Sequence, residues 1–299
     1  MSPMVSRPSR PRRSALYMPA SNPRTVEKAR SLACDVVILD LEDAVLPEAK
    51  LEARAAAVAA VTAGGFGGRE VVVRVNALET PWGEADLAAA ASAGPDAILA
   101  PKVRGPADVL AYDRAIAAAP AHTRLWVMIE TVQSIFALDA IAGAAPKHGA
   151  SRLAGLVMGV NDLAREMGAR QSADRAPFHA ALSLAVTAAR AHGLIILDGV
   201  HNEIDDLAAL EAVCRQGAAF GFDGKTLIHP SHLAICNEVF TPAPAEVAWA
   251  RAVIAAFDDP RNAGKGALRV EGRLAELLHR DQALKMVAVA DAIASAQER

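Results

Sequence analysis

The sequence carries little net charge: 31 Lys and Arg against 34 Asp and Glu leave −3 at pH 7. That balance excludes the broad basic field of a nucleic-acid-binding protein. Cysteine is scarce. Cys34, Cys214 and Cys236 lie far apart and form no C-x-x-C pair, which excludes a disulfide scaffold and points to reduced thiols in a cytoplasmic protein. No apolar run approaches the roughly 18 residues of a membrane span, so no membrane partner is expected. There is no G-x-S-x-G, hence no serine-hydrolase elbow. MPASN follows the first apolar run where a dinucleotide-binding fold would place a glycine-rich loop. GFDGKT at 221–226 looks like a phosphate loop, but Ala219 stands where that motif needs glycine and the chain turns at once into IHPS. A nucleoside triphosphate site is therefore rejected. His229 and His232, three apart in a proline turn, read as hydrogen-bonding groups rather than zinc ligands.

The first 13 residues, MSPMVSRPSRPRR, hold arginines and prolines but no acid and no apolar signal core. They are expected to form a disordered tail, residues 1–13.

Beyond the tail the chain alternates. Short apolar runs stand at 14–18, 36–41, 71–75, 97–100, 125–129, 155–160, 194–198 and 217–222. They are continuously apolar, the mark of parallel strands covered on both faces. Helical stretches separate them, several opened by a proline: Asn22-Pro23, Pro47, Pro106 and Pro177. One further helix is expected from Ile204 to Gly217. Eight such repeats predict a (β/α)8 TIM barrel over residues 14–240. Residues 241–299 remain as a helical C-terminal appendage, with a break at DDPRNAGKG, a short extended ALRVEG and a final helix from Arg273.

The stretch 125–168 organises the rest. Two apolar runs lead into Glu130 and Asp162, with a helical pattern containing Ile135, Leu138 and Ile141 between them. Parallel neighbours lie about 4.8 Å apart, so acids at their matching ends can share one cation. Oxygen-only ligands favour Mg²⁺ over Zn²⁺. Other strand ends add to the same rim: Asp40, Glu42 and Asp43, then Arg74 and Asn76, Pro101-Lys102, Asn161, Asp198, and Gly224-Lys225 followed by His229. Barrel enzymes place their sites at that rim. Carboxylates with Mg²⁺ hold an anionic substrate, and Arg74 supplies a fixed charge for a developing enolate or alkoxide. This is equipment for making or breaking a C–C bond beside a carbonyl.

The segments RSALYMPASNPRTVEKA, VVILDLEDAV, VVVRVNA, APKV, IET, GVNDLA and GFDGKTLIHPSHLAICNEVFTP occur in that order. The chain they mark resembles the HpcH/HpaI aldolase and citrate lyase beta subunit superfamily over nearly its whole length, and most of all the malyl-CoA and citramalyl-CoA lyases. The resemblance implies a Mg²⁺-dependent lyase that splits a 3-hydroxyacyl-CoA thioester into acetyl-CoA and a 2-oxo acid. It implies Glu130 and Asp162 as metal ligands, Arg74 as the group steadying the enolate, and Glu42 and Asp43 acting through metal-bound waters. Tyr17, Asn22, Lys28, Asn161, Ile228 and His229 would contact substrate. The appendage would cover the site of a neighbouring subunit in a homo-trimer or hexamer and bring a catalytic acid. Where relatives carry aspartate for that role this chain has Glu276, in Gly272-Arg273-Leu274-Ala275-Glu276, with Glu271 nearby. The extra methylene leaves the reaction open among C–C lyase, citryl-thioester lyase, 2-oxo-acid aldolase, malyl-CoA thioesterase and a non-catalytic thioester-binding regulator.

Overall fold

The computed structural model describes residues 10–144 and 152–297. Most of the basic tail lies outside them, but its last two residues do not behave as a tail. Arg12 Nε pairs with Glu70 at 2.5 Å, and the Arg13 guanidinium pairs with Asp35 at 2.8 Å.

Residues 12–240 form one unit, built on a closed eight-stranded parallel barrel. The strands are β1 (Ser14–Pro19), β2 (Val36–Asp40), β3 (Glu70–Arg74), β4 (Ala97–Ala100), β5 (Arg124–Ile129), β6 (Leu153–Met158), β7 (Ile195–Asp198) and β8 (Gly224–Leu227). Between them run α1 (Pro23–Ala29), α2 (Lys50–Ala63), α3 (Gly83–Ala93), α4 (Pro106–Ala115), α5 (Val132–Phe136), α6 (Leu138–Ala142), α7 (Val160–Met167), α8 (His179–Ala191) and α9 (Leu207–Phe220). The short α10 (Leu233–Val239) follows β8. This is a (β/α)8 TIM barrel, as the alternation predicts.

The strands read as continuous apolar runs because both faces are buried. Ala15, Tyr17, Val36, Ile38, Val72, Leu99, Trp126, Met128 and Val157 share an inner cluster, while Leu16, Val37, Leu39, Val73 and Leu156 pack outward against the helices. Closure comes from β1 pairing with β8, Ser14 opposite Lys225 and Leu16 opposite Leu227. Gly224 permits this seam, since a Cβ there would collide with the carbonyl oxygens of Arg12 and Arg13. Helix starts follow the sequence signals: Asn22 caps α1, its side chain accepting from Arg24 N and Thr25 N, with Pro23 as the first helical residue.

Four further expectations fail. The run 217–222 is not a strand; α9 continues through Gly217 to Phe220, and the last strand is Gly224–Leu227. Gly217 does not stop the helix; it lets the helix approach Asp198, whose Oδ2 would lie 2.8 Å from a Cβ at that position. The sixth strand ends at Met158, so Asp162 sits in the first turn of α7, not at a strand end. In the appendage, Arg273–Glu276 is a strand rather than the start of the final helix.

Residues from Thr241 onward belong to a second unit. It contains α11 (Pro244–Asp258), the antiparallel pair β9 (Ala267–Val270) and β10 (Arg273–Glu276), and α12 (Leu277–Gln297). Glu271 and Gly272, with φ of 49° and 83°, make the two-residue turn between the strands. Ala250, Val253, Leu268, Val270, Ala275 and Ala283 form its own apolar cluster.

One buried ionic cluster ties β7 to β8. Asp198 receives Arg175 Nη1 at 2.8 Å on both oxygens, and Lys225 Nζ lies 3.3 Å from Oδ2, with both Asp198 and Lys225 wholly buried. Replacing Asp198 by Ala would strand two buried cations. The expected loss is about 3–5 kcal/mol of stability by urea denaturation, and a loss under about 1 kcal/mol would contradict this role for the cluster.

Candidate active site

At the carboxyl ends of the strands, Arg74 is the first fixed point. It ends β3, level with Asp40 at the end of β2. Its Nε donates to Asp40 Oδ1 at 2.7 Å and its Nη2 to Oδ2 at 2.6 Å, a fork-to-fork pair. Asp40 also accepts the backbone N–H groups of Glu42 and Ala44. Burial works to raise the Asp40 carboxyl, but Arg74 outweighs it and holds the group below the usual range. The third nitrogen of Arg74, Nη1, faces the site, 2.8 Å from Glu42 and 3.8 Å from Asp43. The Tyr17 ring lies beneath, its centroid 4.6 Å from the guanidinium carbon.

Glu130 follows β5 and is fully buried. Its Oε1 accepts the backbone N–H of Lys102 at 2.7 Å, while Oε2 has no partner. Asp162 comes in from α7. The Lys102 ammonium stands among the acids, 2.5 Å from Asp162, 3.5 Å from Glu130 and 3.6 Å from Glu42. Burial, with Glu42 nearby, pushes the Glu130 carboxyl up to about 8. Burial likewise takes Glu42 to about 7, against the pull of Arg74. Burial opposes ionisation of Asp162 too, but Lys102 and Arg165 prevail and keep its carboxyl low.

These acids fit a hard divalent ion. Two protein carboxylates are a sufficient protein share for Mg²⁺, which keeps waters or substrate oxygens for the rest. Among the described residues no group of three or more His, Cys, Asp or Glu could form a cage by itself. Glu130 Oε2 is an orphaned buried oxygen, and an ammonium already occupies the cationic position between the two acids. Gly159 keeps that pocket open, because a Cβ there would fall 2.5 Å from Glu130 Oε2 and 3.1 Å from Met128 Cε.

A cavity of about 290 Å³ opens here, lined by Tyr17, Asp43, Arg74, Glu130, Asn161, Asp162 and Ile228 among others. Asn22, Lys28 and His229 are not among its lining residues. Asn22 caps α1, and His229 Nδ1 lies 2.7 Å from Ser231 Oγ. Asn76 is drawn beneath the site, holding Lys50 and Asp86. Glu276 ends β10 of the second unit, its backbone N–H donating to His279 Nδ1. The sequence reading gave no role to Asp40, Lys102 or Gly159. The first two stood at strand ends and were visible as charges there; Gly159 carries no signal without the packing.

A family profile for HpcH/HpaI aldolase/citrate lyase matches residues 13–230, and the chain belongs to that family. It is 47% identical over 285 residues, covering 95% of this chain and 96% of the relative, to a (3S)-malyl-CoA thioesterase of Cereibacter sphaeroides. It is 34% identical over 314 residues, covering 96% and 97%, to an L-malyl-CoA/beta-methylmalyl-CoA lyase of the same species. Among solved structures, CitE from Mycobacterium tuberculosis in complex with magnesium, acetoacetate and coenzyme A matches with a TM-score of 0.72 at 30% identity, covering 93% of this chain and 97% of that one.

The raised Glu130 carboxyl gives a signed expectation. Between its ordinary value of 4.5 and about 8, the folded chain holds a proton that the unfolded chain has lost. Stability therefore falls as pH rises through that window and levels off above it. With chelator present, the melting temperature of the wild type should fall more between pH 6 and pH 8 than that of Glu130→Gln; equal falls would contradict it.

Proposed function

We propose that the protein is a Mg²⁺-dependent enzyme acting on a malyl-CoA-type thioester, and that its net reaction is hydrolysis to free coenzyme A and the hydroxy acid. The observation that carries the substrate class is Arg74 Nη1 facing the same space as Glu130 and Asp162. An anionic oxo or hydroxy acid end and a thioester oxygen that gains charge need those two kinds of partner side by side. Glu130 and Asp162 would hold the metal, which supplies a Lewis-acid anchor for the acid end of the substrate. A cavity of about 290 Å³ suits a short acid, so the coenzyme must extend beyond it.

Arg74 donates to the thioester oxygen as negative charge develops on it. Its fork with Asp40 fixes the guanidinium plane, so no reorganisation is needed at that moment. Glu42, with its carboxyl pushed up to about 7, is tuned to take and return a proton near neutral pH. In hydrolysis it accepts the proton of the attacking water, the water oxygen bonds to the thioester carbon, and the C–S bond breaks with sulfur leaving as the protonated thiol. Asp43, more exposed, orients water at the mouth.

A second reading, C–C cleavage to acetyl-CoA and a 2-oxo acid, uses the same residues and is favoured by Arg74, equally placed for an enolate, and by the 34% identical lyase. One observation and one chemical argument weigh for hydrolysis. The thioesterase is the nearer of these two relatives, at 47%. Hydrolysis also has no carbon to protonate, whereas cleavage depends on the reach of Glu276, supplied in this reading by a neighbouring subunit of a homo-oligomer.

Incubating the protein with Mg²⁺ and malyl-CoA should release thiol and malate without glyoxylate. Glyoxylate with acetyl-CoA would establish the lyase reading, and no turnover of malyl-CoA or citramalyl-CoA would overturn both. Arg74→Met, which keeps the length but loses the donors, should lower kcat by about 10²–10³-fold, read on folded protein because the change also strands buried Asp40.

A further inference from the structure

Lys102 is a charged residue of the site that the proposed chemistry leaves without a task. It is also the most unusual backbone position there: its φ is 55°, a region that L side chains seldom adopt, directly after Pro101. That conformation has two consequences. The backbone N–H points at Glu130 Oε1, at 2.7 Å, and fixes that carboxylate with Oε2 turned free. The side chain meanwhile spans the acids, with its ammonium 2.5 Å from Asp162, 3.5 Å from Glu130 and 3.6 Å from Glu42. The N–H contact is rigid, whereas the ammonium rides on a flexible four-carbon stem and the side chain is 28% exposed, free to swing outward.

We propose that Lys102 is the resident counter-ion of this carboxylate cluster, and that Mg²⁺ binds by displacing its ammonium while the Lys102 backbone keeps Glu130 in place. The inference rests on reading Glu130 and Asp162 as the metal ligands. A monovalent and a divalent cation between the same two carboxylates repel, and with Asp162 Oδ1 paired to Arg165 at 2.6 Å the ammonium and the ion would compete for Oδ2. The displaced ammonium remains on β4's following loop, at the rim of the barrel. Lys102 is thus a positioning residue that holds the acids together before metal arrives, and it sets how tightly the metal is held.

The test is Mg²⁺ titration by calorimetry on the intact protein, with Mn²⁺ binding by electron paramagnetic resonance as a second readout. Lys102→Met removes the competing charge and keeps the backbone N–H. It should bind Mg²⁺ at least 10-fold more tightly than wild type, while its metal-free form melts lower and gains more in melting temperature on adding Mg²⁺. Lys102→Arg, which retains the charge, should bind no more tightly than wild type. A gain in affinity is not a result that general damage produces. Equal or weaker binding by Lys102→Met, with the wild type binding normally, overturns this inference alone. A wild-type protein that binds neither Mg²⁺ nor Mn²⁺ overturns it together with the functional reading beneath it.

Discussion

The site depends on one constraint: several carboxylates are buried at one end of a barrel, and each must find a positive partner. Asp40 and Arg74 solve this between themselves with a fork-to-fork pair in which both groups are almost fully buried. A buried ion pair of this kind is held by geometry and by its extra hydrogen bonds, because the desolvation of both charges nearly cancels their attraction. Asp40 obtains those bonds from the backbone of Glu42 and Ala44. The loop after β2 is thereby folded around the pair, and Glu42 and Asp43 are delivered beside Arg74 Nη1. Without Asp40, the guanidinium would have no fixed plane and the two loop acids no fixed place.

Glu130 and Asp162 are the other half of the same problem, solved incompletely. Glu130 has one oxygen satisfied and one free, and its raised proton affinity reflects a buried charge without sufficient compensation. Lys102 supplies part of the missing positive charge. The difference between the halves is geometric. Asp40 and Arg74 form a closed pair that supports, whereas Glu130 and Asp162 form an open pair with room for a harder cation and for the oxygens of a substrate.

Much of this was legible in residue order. The barrel was readable because each strand is buried on both faces, so periodicity reduces to short apolar blocks separated by helices with proline starts. The rim acids and Arg74 were readable because charged residues directly after apolar blocks have one place to go in such a fold. The errors have a common cause. β8 was missed because its residues, Gly224, Lys225, Thr226 and Leu227, look polar, and they are buried only because Asp198 from β7 neutralises Lys225 and Thr226 donates to the Asp198 carbonyl. Gly217 looked like a helix end because its reason for being glycine lies in another element. Arg12 and Arg13 looked like tail because Glu70 and Asp35 are far away in sequence.

Residue order alone carries the fold class and the end of the barrel that gathers charge, since both follow from local pattern and residue type. The packing set which charged residues lie side by side. It placed Asn76 as support beneath the site, brought Asp162 in from a helix turn, and set Lys102 among three acids from three elements. Those outcomes rest on distances between residues as much as 60 positions apart, and no local signal encodes such a distance.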